Sequence, residues 1–194
     1  MAENLIDDFP LSTKRKVKGT RRLVREKALQ IIIASEMSGV SWGTNFSHIF
    51  FRVFNFDTDE NLPERLLKPD EIIELEADTP IIWKQEEIDF AQKLIRKSIE
   101  NAALVEDLIA KNVTNWEIGR IAIIDKVLIR IAITELLNFE DVPPKVSINE
   151  AIDIAKKYST EKSGHFINGV LDTLFAKLKK EGKVVKTGRG LIDL

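Results

Sequence analysis

Between Ile121 and Leu137 the chain is apolar on almost every side, interrupted only by Asp125, Lys126, Arg130, Thr134 and Glu135. A helix of that composition has no wide wet face, so it has to run through the middle of a structure and be covered by other elements. Lys126, Arg130, Thr134 and Asn138 recur every fourth residue and form one polar seam along it.

The elements that can cover it are also helical. From Arg21 to Met37, Val24, Ala28, Ile31, Ile32, Ser35 and Met37 follow one face, with Thr20 as N-cap and Ser38-Gly39 as the stop. Trp42, Phe46, Ile49, Phe50, Val53, Phe54 and Phe56 predict an aromatic second helix over 42–56, its rings serving the core rather than stacking on bases. One long amphipathic helix is expected from about Glu86 to Lys111. Pro143-Pro144 ends the central helix, and Ser147-Ile148-Asn149-Glu150 reads as a capping box opening a helix through Tyr158. A last helix spans about Lys162 to Lys180 and closes before Gly182. With no strand alternation and no internal repeat, the fold class is an all-α bundle of five or six substantial helices and one or two short ones.

Three segments stand apart from the helices. Residues 1–19 read as a flexible basic arm, and 182–194 as a basic, mobile tail. The connection 57–85 is acidic: Asp57 to Glu87 holds eleven acids against three bases, with Pro63, Pro69 and Pro80. It is expected to be irregular and to avoid nucleic acid.

Charge is distributed unevenly. Formal net charge is -2, but Lys14 to Lys27 holds eight bases against Glu26 alone, a segment of +7 that leaves -9 for the remainder. That asymmetry points to an anionic partner at one end; the alternative is a solvated tail. Arg21, Arg22 and Arg25 stand in the first turns of a helix, where cations oppose the macrodipole by ~0.3–1 kcal/mol each, a cost a ligand would explain. There is no cysteine, hence no disulfide or zinc-thiolate site. No apolar run approaches a membrane span, so a cytoplasmic protein with no membrane contact is expected.

Enzymatic chemistry has no visible foothold. His48 and His165 belong to no metal-ligand cluster, and neither a phosphate-binding P-loop nor a GxSxG elbow occurs. Gly188-Arg189-Gly190 lies in the charged tail rather than in a strand-to-helix turn, and Glu86-Glu87 and Asp70-Glu71 are sequence neighbours that point apart. The chain is therefore expected to be no enzyme and to need no cofactor or metal. Arg130 and Glu150 are expected in structural ion pairs, and Asn168-Gly169 as a close-packing point in the last helix.

The run Asp125-Lys126-Val127-Leu128-Ile129-Arg130-Ile131-Ala132-Ile133-Thr134-Glu135-Leu136, then Asp141-Val142-Pro143, Ser147-Ile148-Asn149-Glu150-Ala151 and Phe166-Ile167-Asn168-Gly169-Val170-Leu171-Asp172, resembles the NusB family of transcription antitermination factors. Arg21-Arg22, Arg25-Glu26 and Gln30 add a match in the first helix. The resemblance implies two packed three-helix bundles with an extra helix, about seven in all, within 20–181. The N-terminal sub-bundle would cover about 20–111 and the C-terminal one about 112–181.

It further implies binding of boxA-like single-stranded RNA as a heterodimer with NusE, the ribosomal small-subunit protein, within the RNA polymerase antitermination complex at ribosomal RNA operons. The RNA surface it implies takes in Arg21, Arg22 and Arg25, joined by Lys18 and Lys27 of the basic run, and Lys162, Ser163 and Phe166 before and in the last helix. Phe166 could equally be a core ring, and Asp125 falls where the family carries an acid near the NusE contact. Two rival readings are a helical scaffold or homodimer without RNA function, and the RNA-binding appendage of an RNA cytosine methyltransferase. The second lacks a following α/β domain before Leu194.

Overall fold

A computed structural model describes residues 16–51, 81–112 and 121–192. The arm up to residue 15, the last positions Val53, Phe54 and Phe56 of the expected second helix, and residues 57–80 of the acidic connection lie outside the described residues.

Helix α1 (Arg21–Ser38) begins where Thr20 Oγ1 accepts the backbone N–H of Leu23 at 3.2 Å, and it ends at Gly39, whose φ of 71° suits a residue without Cβ. A short α2 (Trp42–Phe46) runs into a π-helical turn, Ser47–Phe51. Then come α3 (Gln85–Glu100), α4 (Ala102–Asn112), α5 (Ile123–Asn138), α6 (Pro144–Tyr158) and α7 (Glu161–Lys180). Before α1, β1 (Val17–Lys18) pairs in parallel with β2 (Ile81–Ile82), so the end of the expected free arm is tied to the body.

Helix α5 occupies the centre, with α1, α3, α4, α6 and α7 packed around it. Val127, Leu128, Ile129, Ile131, Ala132, Ile133 and Leu136 are buried there, as its all-round apolar composition requires. Phe46 and Phe50 are buried and stacked at 4.6 Å, and Trp83 stacks on Phe50 at 4.2 Å, so these rings serve the core.

Four local expectations are corrected. The long helix over 86–111 is interrupted at Asn101, whose Nδ2 donates to Asn138 Oδ1 at 2.8 Å and Thr134 Oγ1 at 3.3 Å; the polar seam of α5 takes up this side chain. The capping box at Ser147 does not form, because α6 starts three residues earlier with Pro144 in the first turn, where its missing N–H is harmless. Ser147 Oγ instead donates to Glu135 at 2.7 Å.

Gly169 is exposed, and a Cβ built on it meets nothing within 4 Å, while Asn168 Nδ2 donates to the Asp172 carboxylate; this pair does not serve close packing. The tail also lies back on the body. Lys186 is buried, and its Nζ donates to the carbonyls of Glu135 (3.0 Å) and Phe139 (2.8 Å) at the C-terminal end of α5, the end a cation favours. Burial pulls the Lys186 pKa below the ordinary lysine value, against the opposing pull of Glu135, Asp141 and Glu140.

Candidate nucleic-acid interface

The opening turns of α1 lie beside the α5–α6 connection and the first turns of α6. Between them is a groove of about 520 Å³, lined by Arg21, Arg22, Arg25, Asp141, Pro143, Val146, Glu150 and Arg189, with Glu86 and Glu87 of α3. The three arginines that the sequence places together therefore do share one cavity, but their surroundings differ.

Arg21 Nη1 reaches Asp141 Oδ2 at 3.1 Å and its guanidinium stands 4.6 Å from the centroid of the Phe90 ring; its side chain is 47% exposed. Arg22 forks Glu150 through Nε and Nη2, both at 3.0 Å, and Nη2 also meets Asp153 at 2.8 Å, yet its side chain remains 51% exposed. The hydrogen bond and charge of Glu150 raise the Arg22 pKa above its ordinary value, more than burial lowers it, so this cation never titrates in the working range.

Arg25 has a different role. It is 3% exposed and forks the fully buried Glu135, Nε to Oε1 at 2.6 Å and Nη2 to Oε2 at 2.9 Å. Burial works to lower its pKa, and the charge and hydrogen bonds of Glu135 reverse that, leaving the pKa raised. Because α1 packs directly on α5, the position facing Glu135 is spent on neutralising a core carboxylate rather than offered to solvent. Arg25 forms the inner end of the groove and holds α1 in place.

Beyond the arginines, Glu26 Oε2 accepts from Lys157 Nζ and Tyr158 OH, both at 2.7 Å, so one edge of α1 is laced to the end of α6. Lys157 has a raised pKa, chiefly from the Glu26 hydrogen bond; Tyr158 is raised chiefly by burial and then by Glu26.

The remaining predicted residues lie outside the groove lining. Lys18 is exposed on β1 and Lys27 is half-buried on α1. Lys162 is exposed at the opening of α7. Ser163 is buried as the capping partner of Thr160: its Oγ lies 2.9 Å from Thr160 Oγ1, and its N–H donates to that oxygen at 3.2 Å. Phe166 is half-buried and packed against the core. Asp125 is buried in the first turn of α5, and its Oδ1 has no hydrogen-bond partner. Arg130 pairs with Glu36 and Glu150 with Arg22, so both stand in ion pairs within the fold.

Sequence reading missed Asp141 and Arg189 as groove residues, and Asp153 as a partner of Arg22. Asp141 and Asp153 carried no local signal, since their partners sit more than a hundred residues away. Arg189 was read only as part of a charged tail.

Comparison with known proteins agrees with the architecture. The NusB family model matches residues 22–175. A transcription antitermination protein NusB from Chloroherpeton thalassium is 39% identical over 175 residues, covering 90% of this chain and 70% of that protein. One from Salinibacter ruber is 53% identical over 106 residues, 55% of this chain and 66% of the relative. Among solved structures, T. maritima NusB superimposes with a TM-score of 0.61 at 28% identity, covering 85% of this chain and 99% of that one. A structure of antitermination factors NusB and NusE in complex with dsRNA shares the fold at 20% identity, with a TM-score of 0.57 over 81% of this chain and 96% of its own. With the all-α architecture, the arginine-lined groove and a family match across most of its length, the chain belongs to the NusB family.

Proposed function

We propose that this protein is a cytoplasmic, non-enzymatic transcription antitermination factor. It binds boxA-type single-stranded RNA together with NusE, within the RNA polymerase antitermination complex on ribosomal RNA operons. The observation that carries the reading is the pair Arg21 and Arg22, half-exposed on one groove at the start of α1 in a NusB-family chain. Each guanidinium is pre-oriented by a carboxylate and still open to water, so a phosphate can join or displace Asp141 and Asp153 without unfolding anything.

Lys18, Lys27 and Lys162, outside the groove lining, add positive charge to the RNA surface in this reading, while Arg25 and Ser163 act by holding α1 and the start of α7 in place. Phe166, half-buried, keeps an edge available to a base, whereas Asp125 is buried, so its carboxylate is not open to a NusE contact in this structure. Domain boundaries follow the same division, with 20–111 and 112–181 as the two sub-bundles and α5 as the shared core. Among the described residues no helix is long and apolar enough to cross a membrane.

The test is titration of a boxA-like RNA with the protein alone and with NusE added, across a range of salt. Log affinity should fall by ~0.7 per phosphate contact for each decade of salt, and Arg21→Ala with Arg22→Ala should flatten that slope. An unchanged slope sinks the placement; gel filtration showing a homodimer and no complex with NusE would favour the scaffold reading.

A further inference from the structure

Gly188-Arg189-Gly190 matches no phosphate loop, yet the fold holds it firmly. The buried Lys186 ties the segment before it to the end of α5, and the Thr187 N–H donates to the Glu140 carbonyl at 3.0 Å. The Gly190 N–H closes the turn on Thr187 O at 2.8 Å. Gly190 itself lies so close to Glu140 that a Cβ would fall 1.8 Å from that carbonyl oxygen, so no other residue fits there. The backbone is thus fixed on both sides of Arg189, and its exposed side chain lines the groove with Arg21 and Arg22.

The charge arrangement sets Arg189 apart. Arg21 is held by Asp141, Arg22 by Glu150 and Asp153, and Arg25 by Glu135. Among the described residues Arg189 has no ion-pair partner, so an anion entering the groove finds one guanidinium for which it need not compete. Glu86 and Glu87 line the same groove and repel a polyanion, which confines the strand to the arginine side.

We propose that the docked C-terminal tail is part of the RNA site and that Arg189 binds a backbone phosphate of the single strand beside Arg21 and Arg22. This rests on the RNA-binding reading above, and it assigns a role to a segment outside the residues 22–175 that the family model matches.

Binding of a boxA-like RNA oligonucleotide to the full chain with NusE, measured by fluorescence anisotropy over a salt series, tests it. Arg189→Ala should weaken binding several-fold and lower the salt slope by about 0.7, the loss of one single-strand phosphate contact. Gly190→Val, which undocks the tail without changing any charge, should weaken binding by a similar factor, and the double variant should be no worse than either alone. Circular dichroism should show both variants folded; if Gly190→Val is not, Arg189→Ala decides alone, since an exposed arginine without a partner holds nothing together. Unchanged affinity and slope for Arg189→Ala, alongside a clear loss for Arg21→Ala with Arg22→Ala, overturns the tail's role and leaves the RNA reading standing. Tighter binding on removing Arg189 also overturns it. If neither the tail variant nor the α1 variant moves the slope, both readings fall together.

Discussion

Arg25 and Glu135 meet through two parallel hydrogen bonds, 2.6 and 2.9 Å long, in a region where the arginine is 3% exposed and the carboxylate is sealed. Glu135 accepts a further bond from Ser147, so one carboxylate joins α1, α5 and α6. Removing one partner of such a pair strands the other charge in a low-dielectric interior. Arg25→Ala should cost about 3–5 kcal/mol of unfolding free energy, and Arg25→Met combined with Glu135→Leu should recover most of it. Urea denaturation checks this; a loss under about 1 kcal/mol for the single variant would mean that the pair is not buried in solution.

Arg22 should behave in the opposite way. Its ion pairs with Glu150 and Asp153 are half-exposed and screened by water, so Arg22→Ala should change stability by only about 0–1 kcal/mol while weakening RNA binding. Thermal melts and RNA titration on the same preparations separate the two arginines: the Arg25 variant should lose stability, and the Arg22 variant should lose RNA affinity.

Tyr158 is the single tyrosine of the chain, which makes its phenol directly observable. Burial and the Glu26 hydrogen bond hold its pKa above the ordinary value of 10.0. The folded state therefore prefers the protonated phenol. The stability it contributes is complete below the ordinary phenol range and is lost as pH rises through the elevated native midpoint. Phenolate absorbance should titrate above the midpoint of the urea-unfolded chain, and Glu26→Gln should bring the native midpoint down part of the way. Coincident native and unfolded midpoints would contradict the Glu26–Tyr158 contact.

Gly169 lies inside α7 with open space where a side chain would go. Gly169→Ala should therefore stabilise the chain by about 0.5–1 kcal/mol through helix propensity alone. A lower melting temperature for this variant would show that the position is packed after all.

What the sequence determined by itself was local. Thr20 and Gly39 bound α1 because a cap acts within one turn, and the all-round apolar run of α5 required a central helix whatever surrounded it. The clustered bases before and within α1 pointed to an anionic partner from local composition, with a solvated tail as the alternative. Only the tertiary structure decided what each charge was for. Arg21, Arg22 and Arg25 are near neighbours in sequence, but their carboxylate partners stand 120, 128 and 110 residues away. Whether a guanidinium ends in the core, on a groove or in open water depends on how distant helices pack against it, and no periodicity encodes that. The same reasoning covers Lys186 and Arg189: a basic tail looks solvated until the carbonyl end of α5 is placed within reach of one lysine.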